Sequence, residues 1–389
     1  MRRELRREGT VLALALFLGT MVCSSCGGSL ECRDGPDPVV GNFSPHCSPS
    51  CVARPEDHWW SRPDAGADNQ HNLLFLFLPG TNATAMKSRN IIEAASRVGF
   101  HAISLSFDNT REEEGCKHGE DVGTLMDLQA TTNCFAEFRH RAVTGLAGVY
   151  FDVADLDSGW SGSMLLVDVD DTVTMRLQQA LILLRDNNDV GQGWDQFLDG
   201  TGVPDWSKIA VAGWSMGAGM SRHIAHLYPV WAVGLIEFPK DPFTTDNFAT
   251  GATVAPPDYG GATGATAACQ YWAMYHESDQ PDQKREWLNA IGVLESPDEV
   301  GFLIDDPTDA TTSNTGAEGD HRFQTEHTCP DVHKSLTQDA FMRQDSGPSC
   351  VSSPGFPTTD YFHYEALRFF LCRLAQLGND PNCQYVWNQ

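Results

Sequence analysis

Short apolar runs alternate along the chain with segments whose apolar residues recur at helical spacing. The first run, residues 73–80, is apolar throughout and closes with Pro-Gly, which is typical of a strand buried on both faces. Residues 88–98 carry apolar residues at helical spacing up to Gly99, and residues 101–107 are again mostly apolar. This order predicts a βαβ unit and therefore a parallel sheet.

The same alternation continues towards the C-terminus. It predicts helices over 171–185, 215–226 and 361–377, and strands over 208–213, 232–238, 271–275 and 300–304. The middle region between residues 109 and 168 has weak periodicity and predicts no element. We therefore expect a single α/β domain in which helices flank a mostly parallel central sheet.

The first 25 residues have the pattern of an export signal. Four arginines precede a short apolar run over 11–18, and small residues follow up to Cys26. That run is too short to span a bilayer. Residues 26–57 are rich in Cys, Pro, Gly and Ser and predict a linker without regular elements. The folded domain is then expected to occupy residues 58–389.

Twelve cysteines in an exported chain imply disulfides, because an oxidising compartment does not keep thiols reduced. Cysteine spacings typical of zinc sites are absent from the sequence, so we expect no metal and no other cofactor. Cys116 with Cys134, and Cys372 with Cys383, are the expected local disulfides, because the two cysteines of each pair are close in sequence and flank a loop. If the signal is cut before Cys26 and this residue carries a lipid, as in bacterial lipoproteins, an even number of cysteines remains. The protein is then extracellular, periplasmic or lipid-anchored at the cell envelope.

The net charge of the chain is strongly negative, at −26. Proteins gain affinity for nucleic acids and anionic membranes by neutralising phosphates with Lys and Arg. Nucleic acid is therefore excluded as an expected partner. Membrane attachment would depend on a lipid at Cys26 and not on the protein surface.

The segment Gly213-Trp214-Ser215-Met216-Gly217 lies directly between a predicted strand and a predicted helix. A serine on so sharp a turn has strained backbone angles, and glycines two residues to either side leave room for the chain to reverse. The N-terminus of the helix directs N–H groups and a positive dipole end towards the site where negative charge develops. This pattern favours Ser215 as a catalytic nucleophile.

With this motif, residues 70–377 resemble the α/β-hydrolase family of serine esterases, lipases and related enzymes. The resemblance implies an oxyanion hole formed by two backbone N–H groups. The residue after the nucleophile, Met216, supplies the first. The second comes from the loop after an early strand, where Thr81 is the expected donor and Asn82 the next choice, although the family's HGG-type motif is absent.

The resemblance also implies an acid on a turn after a later strand. Residues 272–279 match this pattern, so Asp279 is the expected acid, with Glu277 and Asp282 as neighbours that could substitute. Its role would be to orient the catalytic imidazole and stabilise the imidazolium.

The family's histidine follows the last strand. After the strand predicted over 300–304, the first candidate is His321, in a small-residue turn that resembles the family's. His333 is the alternative base, and His327 and His363 also follow. The chain order of serine, acid and histidine agrees with the family's order.

These features predict a secreted serine hydrolase that cleaves a carboxylic ester or related acyl bond of a small-molecule or lipid-like substrate through an acyl-enzyme on Ser215. One alternative is a Mg²⁺-dependent phosphatase of the haloacid-dehalogenase type, because residues 168–172 match its D-x-D-x-T signature with Asp168 and Asp170. That interpretation gives no role to the glycines around Ser215, and residues 170–172 also suit a helix N-cap with an acidic first turn. The other alternative is a non-catalytic lipoprotein with a hydrolase-like fold.

Overall fold

The computed structural model describes residues 35–45, 56–65, 67, 70–109, 125–146, 167, 169–187, 193–238, 264–276, 288, 302–303, 322–325 and 364–377. Its strands are β1 (Val39–Phe43), β2 (His58–Arg62), β3 (Leu74–Leu78), β4 (His101–Ser104), β5 (Ile209–Trp214), β6 (Ala232–Ile236), β7 (Tyr271–His276), β8 (Phe302–Leu303) and β9 (Arg322–Thr325). Its α-helices are α1 (Arg89–Val98), α2 (Leu125–Thr144), α3 (Val173–Asp186), α4 (Met216–Leu227) and α5 (Tyr364–Leu377). None of these described helices has the length and apolar character that a bilayer span requires.

The described strands form one sheet in the order β1-β2-β4-β3-β5-β6-β7-β9-β8. From β4 to β8 all neighbours are parallel, whereas β2 pairs antiparallel with both β1 and β4. The sheet is therefore mostly parallel and flanked by helices, which confirms the predicted α/β-hydrolase fold. Because parallel strands share a direction, their carboxyl ends meet at one edge of the sheet.

Each face of the sheet has its own hydrophobic core. The leucines of β3, at 74, 76 and 78, pack with apolar residues of α2, α3 and α4. Phe75 and Phe77, which alternate with them, pack with apolar residues of α1 and α5 on the other face. Strand β3 is fully buried, as its continuous apolar run predicts.

Four described elements were not predicted from the sequence, namely β1, β2, α2 and β9. The segment predicted to be a linker contains β1, because Pro38 and Pro45 flank this strand instead of interrupting it, and an edge strand tolerates nearby prolines. Helix α2 lies in the middle region for which no element was predicted. Its buried residues include charged and polar side chains as well as apolar ones, among them the Glu137–Arg141 ion pair at 2.6 Å, so the apolar stripe is obscured in the sequence. Strand β9 contains only one apolar residue.

Cys269 and Cys372 are each disulfide-bonded in the structure. Two residues of the predicted pairs, Cys116 and Cys383, lie outside the described residues, as do the export signal and Cys26. The pairings and the lipid anchor therefore stay predictions.

A buried polar network joins β2, the chain after β4, and α3. His58 Nδ1 accepts a hydrogen bond from the backbone N–H of Ser106 at 2.9 Å. Arg176 donates to the Ser106 carbonyl oxygen at 2.9 Å and to Asp171 at 2.7 Å. Burial, and then the nearby Arg176 charge, lower the pKa of His58 to about 3. His58 is thus a neutral acceptor at ordinary pH.

The depressed pKa of His58 predicts a specific dependence of stability on pH. The unfolded chain takes up this proton near pH 6.5 and the folded chain only near pH 3, so the stability contributed by neutral His58 is complete above pH 6.5 and is lost as the pH falls towards 3. His58→Asn keeps an acceptor for Ser106 but cannot titrate. Between these pH values, the free energy of unfolding of the parent should fall relative to the variant by up to about 1.4 kcal/mol per pH unit. Urea denaturation at pH 8, 6, 5 and 4 measures this, and parallel pH curves would contradict it.

Candidate active site

Ser215 lies between the end of β5 and the start of α4, so the strand and helix predicted around it are both present. Its backbone angles are φ 53° and ψ −123°, a conformation that non-glycine residues seldom adopt. The Ser215 N–H donates to the Ile236 carbonyl oxygen of β6 at 3.0 Å, and the residue is partly exposed. Backbone strain of this kind persists only where the surrounding structure stabilises it, and it is concentrated at functional sites.

The glycines of the motif permit contacts that a side chain would prevent. A Cβ on Gly217 would lie 1.9 Å from the Leu78 carbonyl oxygen, and one on Gly213 would lie 2.2 Å from the backbone of Gly217. A Cβ on Gly80 would lie 2.4 Å from the Trp214 ring. The first turn of α4 and the loop after β3 are therefore in direct backbone contact beside Ser215.

This contact brings the segments of the two predicted oxyanion donors together at the carboxyl edge of the sheet. The N–H groups of Met216 and Thr81 have no acceptor among the described residues, whereas the Asn82 N–H donates to the Asn109 carbonyl oxygen at 3.1 Å. Met216 is the first residue of α4, where backbone N–H groups lack intrahelical partners. Of the two choices for the loop donor, Thr81 is thus the one whose N–H is available.

The expected acid follows a strand that ends at the same edge. Strand β7 is parallel to β6 and ends at His276, and Asp279, Glu277 and Asp282 come directly after it. All three carboxylates lie outside the described residues. The direction of β7 is consistent with an acid near Ser215.

Strand β9 changes the interpretation of the histidine candidates. It is parallel to β7, with Arg322 paired to Ala273 and Thr325 paired to His276. His321 immediately precedes the amino end of β9, and four strand residues, about 13 Å, separate that end from the carboxyl edge. His327 and His333 instead follow Thr325. These three histidines and the fourth candidate, His363, all lie outside the described residues.

A buried carboxylate that the sequence analysis did not single out lies next to Ser215. Glu237 directly follows β6, is fully buried, and has a left-handed φ of 43°. Its N–H donates to the Met274 carbonyl oxygen at 2.9 Å, and the pairing of Trp214 with Ile236 sets it level with Ser215. The only feature of the sequence that could have indicated Glu237 is its charge inside the apolar run 232–238.

The residues of the phosphatase signature have structural roles where they are described. Thr172 is the N-cap of α3, and its hydroxyl accepts from the Met175 N–H at 3.3 Å. Asp171 pairs with Arg176, and residues 169–171 form a single turn that leads directly into α3. Asp168 lies outside the described residues. The predicted N-cap at this helix is confirmed at Thr172, but the predicted acidic first turn is wrong, because Asp170 and Asp171 precede the helix.

Comparison with known proteins finds similarity at the level of solved structures only. Neither a protein-family model nor a curated protein matches the chain. A Klebsiella pneumoniae protein assigned as a dienelactone hydrolase is 13% identical, with 65% of this chain and 81% of that chain covered and a TM-score of 0.30. Thermogutta terrifontis esterase 2, phosphonylated by cyclosarin, is 11% identical over 65% and 77%, with a TM-score of 0.31. A hyperthermophilic esterase from Pyrobaculum calidifontis is 11% identical over 66% and 74%, with a TM-score of 0.27.

The contact of Gly217 with β3 gives a first test of the site. Gly217→Ala should lower the free energy of unfolding by about 3 kcal/mol or more, because a Cβ cannot fit against the Leu78 carbonyl oxygen. Gly200→Ala is the matched control, since nothing lies within 4 Å of its Cβ position, and its effect should stay within about 1 kcal/mol. Chemical denaturation of both variants measures this. Equal stability of the two would show that the turn does not approach β3 so closely.

Proposed function

We propose that this protein is a serine hydrolase that cleaves a carboxylic ester through an acyl-enzyme on Ser215. The observation that carries the proposal is the strained Ser215 turn, packed against the loop after β3 with the N–H groups of Met216 and Thr81 unengaged in the described structure. Such a turn exposes a hydroxyl beside preorganised donors, which is what acyl transfer requires.

In the proposed reaction, the Ser215 hydroxyl attacks the ester carbonyl carbon while a histidine accepts its proton. The carbonyl oxygen becomes an oxyanion, which the N–H groups of Met216 and Thr81 stabilise together with the positive end of the α4 dipole. The protonated histidine then gives its proton to the departing alcohol. Water, activated by the same histidine, hydrolyses the acyl-enzyme and frees Ser215.

The histidine is proposed to be one that follows β9. The sequence favoured His321, but the direction of β9 supports a residue after Thr325, and His327 is the first histidine there. His333 is the next choice. Asp279 remains the proposed carboxylate that orients the imidazole, and the buried Glu237 is the second candidate for that role.

The proposed substrate is a small or lipid-like ester without a large anionic group. With 52 acidic and 26 basic residues, the protein surface repels polyanions and favours uncharged or cationic substrates. Export and a lipid on Cys26 are part of the same proposal, since that lipid would keep an acidic enzyme at the cell envelope.

The nucleophile can be tested by covalent labelling. A fluorophosphonate probe should label the parent at Ser215, and Ser215→Ala should abolish labelling and lower aryl ester hydrolysis by about ten-thousandfold or more. Ser207→Ala is the control, because this serine lies in an exposed turn with Asp205 and should retain both activities. Unchanged ester hydrolysis by Ser215→Ala would reject the proposal. Mg²⁺-dependent cleavage of an aryl phosphate, lost in Asp168→Asn, would support the phosphatase instead.

The base can be identified by comparing three single variants. His327→Ala should abolish ester hydrolysis as completely as Ser215→Ala. The variant that combines both changes should lose no more activity than either single variant, because members of a triad act as a unit. His321→Ala and His333→Ala should keep most of the activity. Initial rates with one aryl ester measure all four. Loss of activity only in His321→Ala would reject the inference from the direction of β9.

A further inference from the structure

The side chain of Asn109 holds the turn that contains Thr81. Its amide nitrogen donates to the Gly80 carbonyl oxygen at 2.6 Å and to the Ala83 carbonyl oxygen at 2.8 Å. Its backbone carbonyl oxygen accepts from the Asn82 N–H at 3.1 Å. Asn109 is only 1% exposed. Because only the nitrogen of an amide can donate to two carbonyls, these contacts also fix the orientation of the amide group.

These bonds occupy the backbone groups on both sides of Thr81. The Ala83 N–H donates to the Gly80 carbonyl oxygen at 3.0 Å and closes the turn, in which Asn82 has a left-handed φ of 58°. Neither a helix nor a strand supports residues 80–83, so the turn depends on this closing bond and on Asn109. Within the described structure, the Thr81 N–H is left available for another acceptor.

Asn109 is itself connected to the rigid part of the fold. The Leu105 N–H donates to the Phe77 carbonyl oxygen at 3.0 Å and continues the pairing of β4 with β3. Ser106 is held on both backbone groups, by His58 and by Arg176. Residues 106–109 are all buried. The turn is therefore bonded to a segment that the sheet and helix α3 keep in place.

We propose that Asn109 is a positioning residue that fixes the Thr81 N–H in the oxyanion hole used by Ser215. The proposal rests on the proposed hydrolase function. An oxyanion donor is effective only when it is held within a few tenths of an ångström of its position in the transition state, and a turn on its own does not supply that rigidity. The network of His58, Arg176 and Ser106 supplies it through Asn109.

The test compares kcat and KM of Asn109→Ala with those of the parent. The variant should lower kcat by about tenfold to a hundredfold with KM changed less than about threefold, because the displaced donor acts on the transition state and less on the bound ester. The pH dependence of kcat/KM should stay unchanged, since the base is not affected. The kcat of Asn109→Ser, which keeps one hydrogen-bond donor, should lie between those of the parent and Asn109→Ala. This variant replaces Asn109→Ala in the test if Asn109→Ala does not fold.

A second readout separates positioning from a general loss of structure. A thionoester develops negative charge on sulfur, a weak hydrogen-bond acceptor, so it gains little from oxyanion donors. Asn109→Ala should therefore slow the oxygen ester more than the matching thionoester, and the ratio of their rates should fall about tenfold, in line with the expected loss of oxyanion stabilisation.

Thr266→Ala is the matched structural control. The buried Thr266 hydroxyl also makes two backbone bonds, donating to the Tyr228 carbonyl oxygen at 2.8 Å and accepting from the Val230 N–H at 2.9 Å. These residues precede β6 and β7, at the edge of the sheet opposite Ser215. Thr266→Ala should lower the thermal midpoint about as much as Asn109→Ala and leave kcat and the ester ratio unchanged.

Two results would overturn the proposal. One is an Asn109→Ala variant with parent kcat and parent ester ratio, and the other is an equal loss on both esters that Thr266→Ala reproduces. If Ser215→Ala abolishes hydrolysis while Asn109→Ala gives either result, only the role of Asn109 is rejected. If Ser215→Ala keeps its activity, the proposed function fails and the role of Asn109 fails with it.

Discussion

The backbone contact between the first turn of α4 and the carboxyl end of β3 is the constraint on which the candidate site depends. Gly217 reaches the Leu78 carbonyl oxygen only because neither Gly217 nor Gly213 has a side chain. The strained Ser215 lies between these two glycines, and the contact sets the loop after β3 beside the start of the helix. The buried cores on both faces of the sheet supply the free energy that keeps this strained turn in place.

Behind this contact, buried polar groups connect the antiparallel and parallel parts of the sheet. His58 is on β2, Ser106 follows β4, and Arg176 is on α3, yet the three share hydrogen bonds with no side chain exposed to water. Such groups are costly to bury, and each of the three residues makes a hydrogen bond to a specific partner, which makes the arrangement rigid. Asn109 extends that rigidity to the turn that carries Thr81.

Elements with strong apolar patterns were predicted well, and elements without them were not. Strands β3 and β5 are buried on both faces and read as continuous apolar runs, and α1 ends at Gly99 with the left-handed φ of 117° that its position requires. Helix α2 escaped prediction because buried charged residues, including the Glu137–Arg141 ion pair, lie among its buried apolar residues and obscure the apolar stripe in the sequence. Strand β9 has one apolar residue and is defined by its pairing with β7, which no local pattern reveals.

The sequence by itself determined the fold class, because apolar runs and segments of helical spacing alternate along the chain. It also determined the position of Ser215, because that motif is local: a buried strand, a turn with glycines at fixed offsets and a helix are all encoded within about twenty residues. Only the tertiary structure decided which distant residues share its edge of the sheet. The direction of β9 separates His321 from His327, the register of β6 brings Glu237 level with Ser215, and the segment after β4 brings Asn109 to the Thr81 turn. These are long-range relations set by strand order and direction, and the spacing of residues along the chain does not contain them.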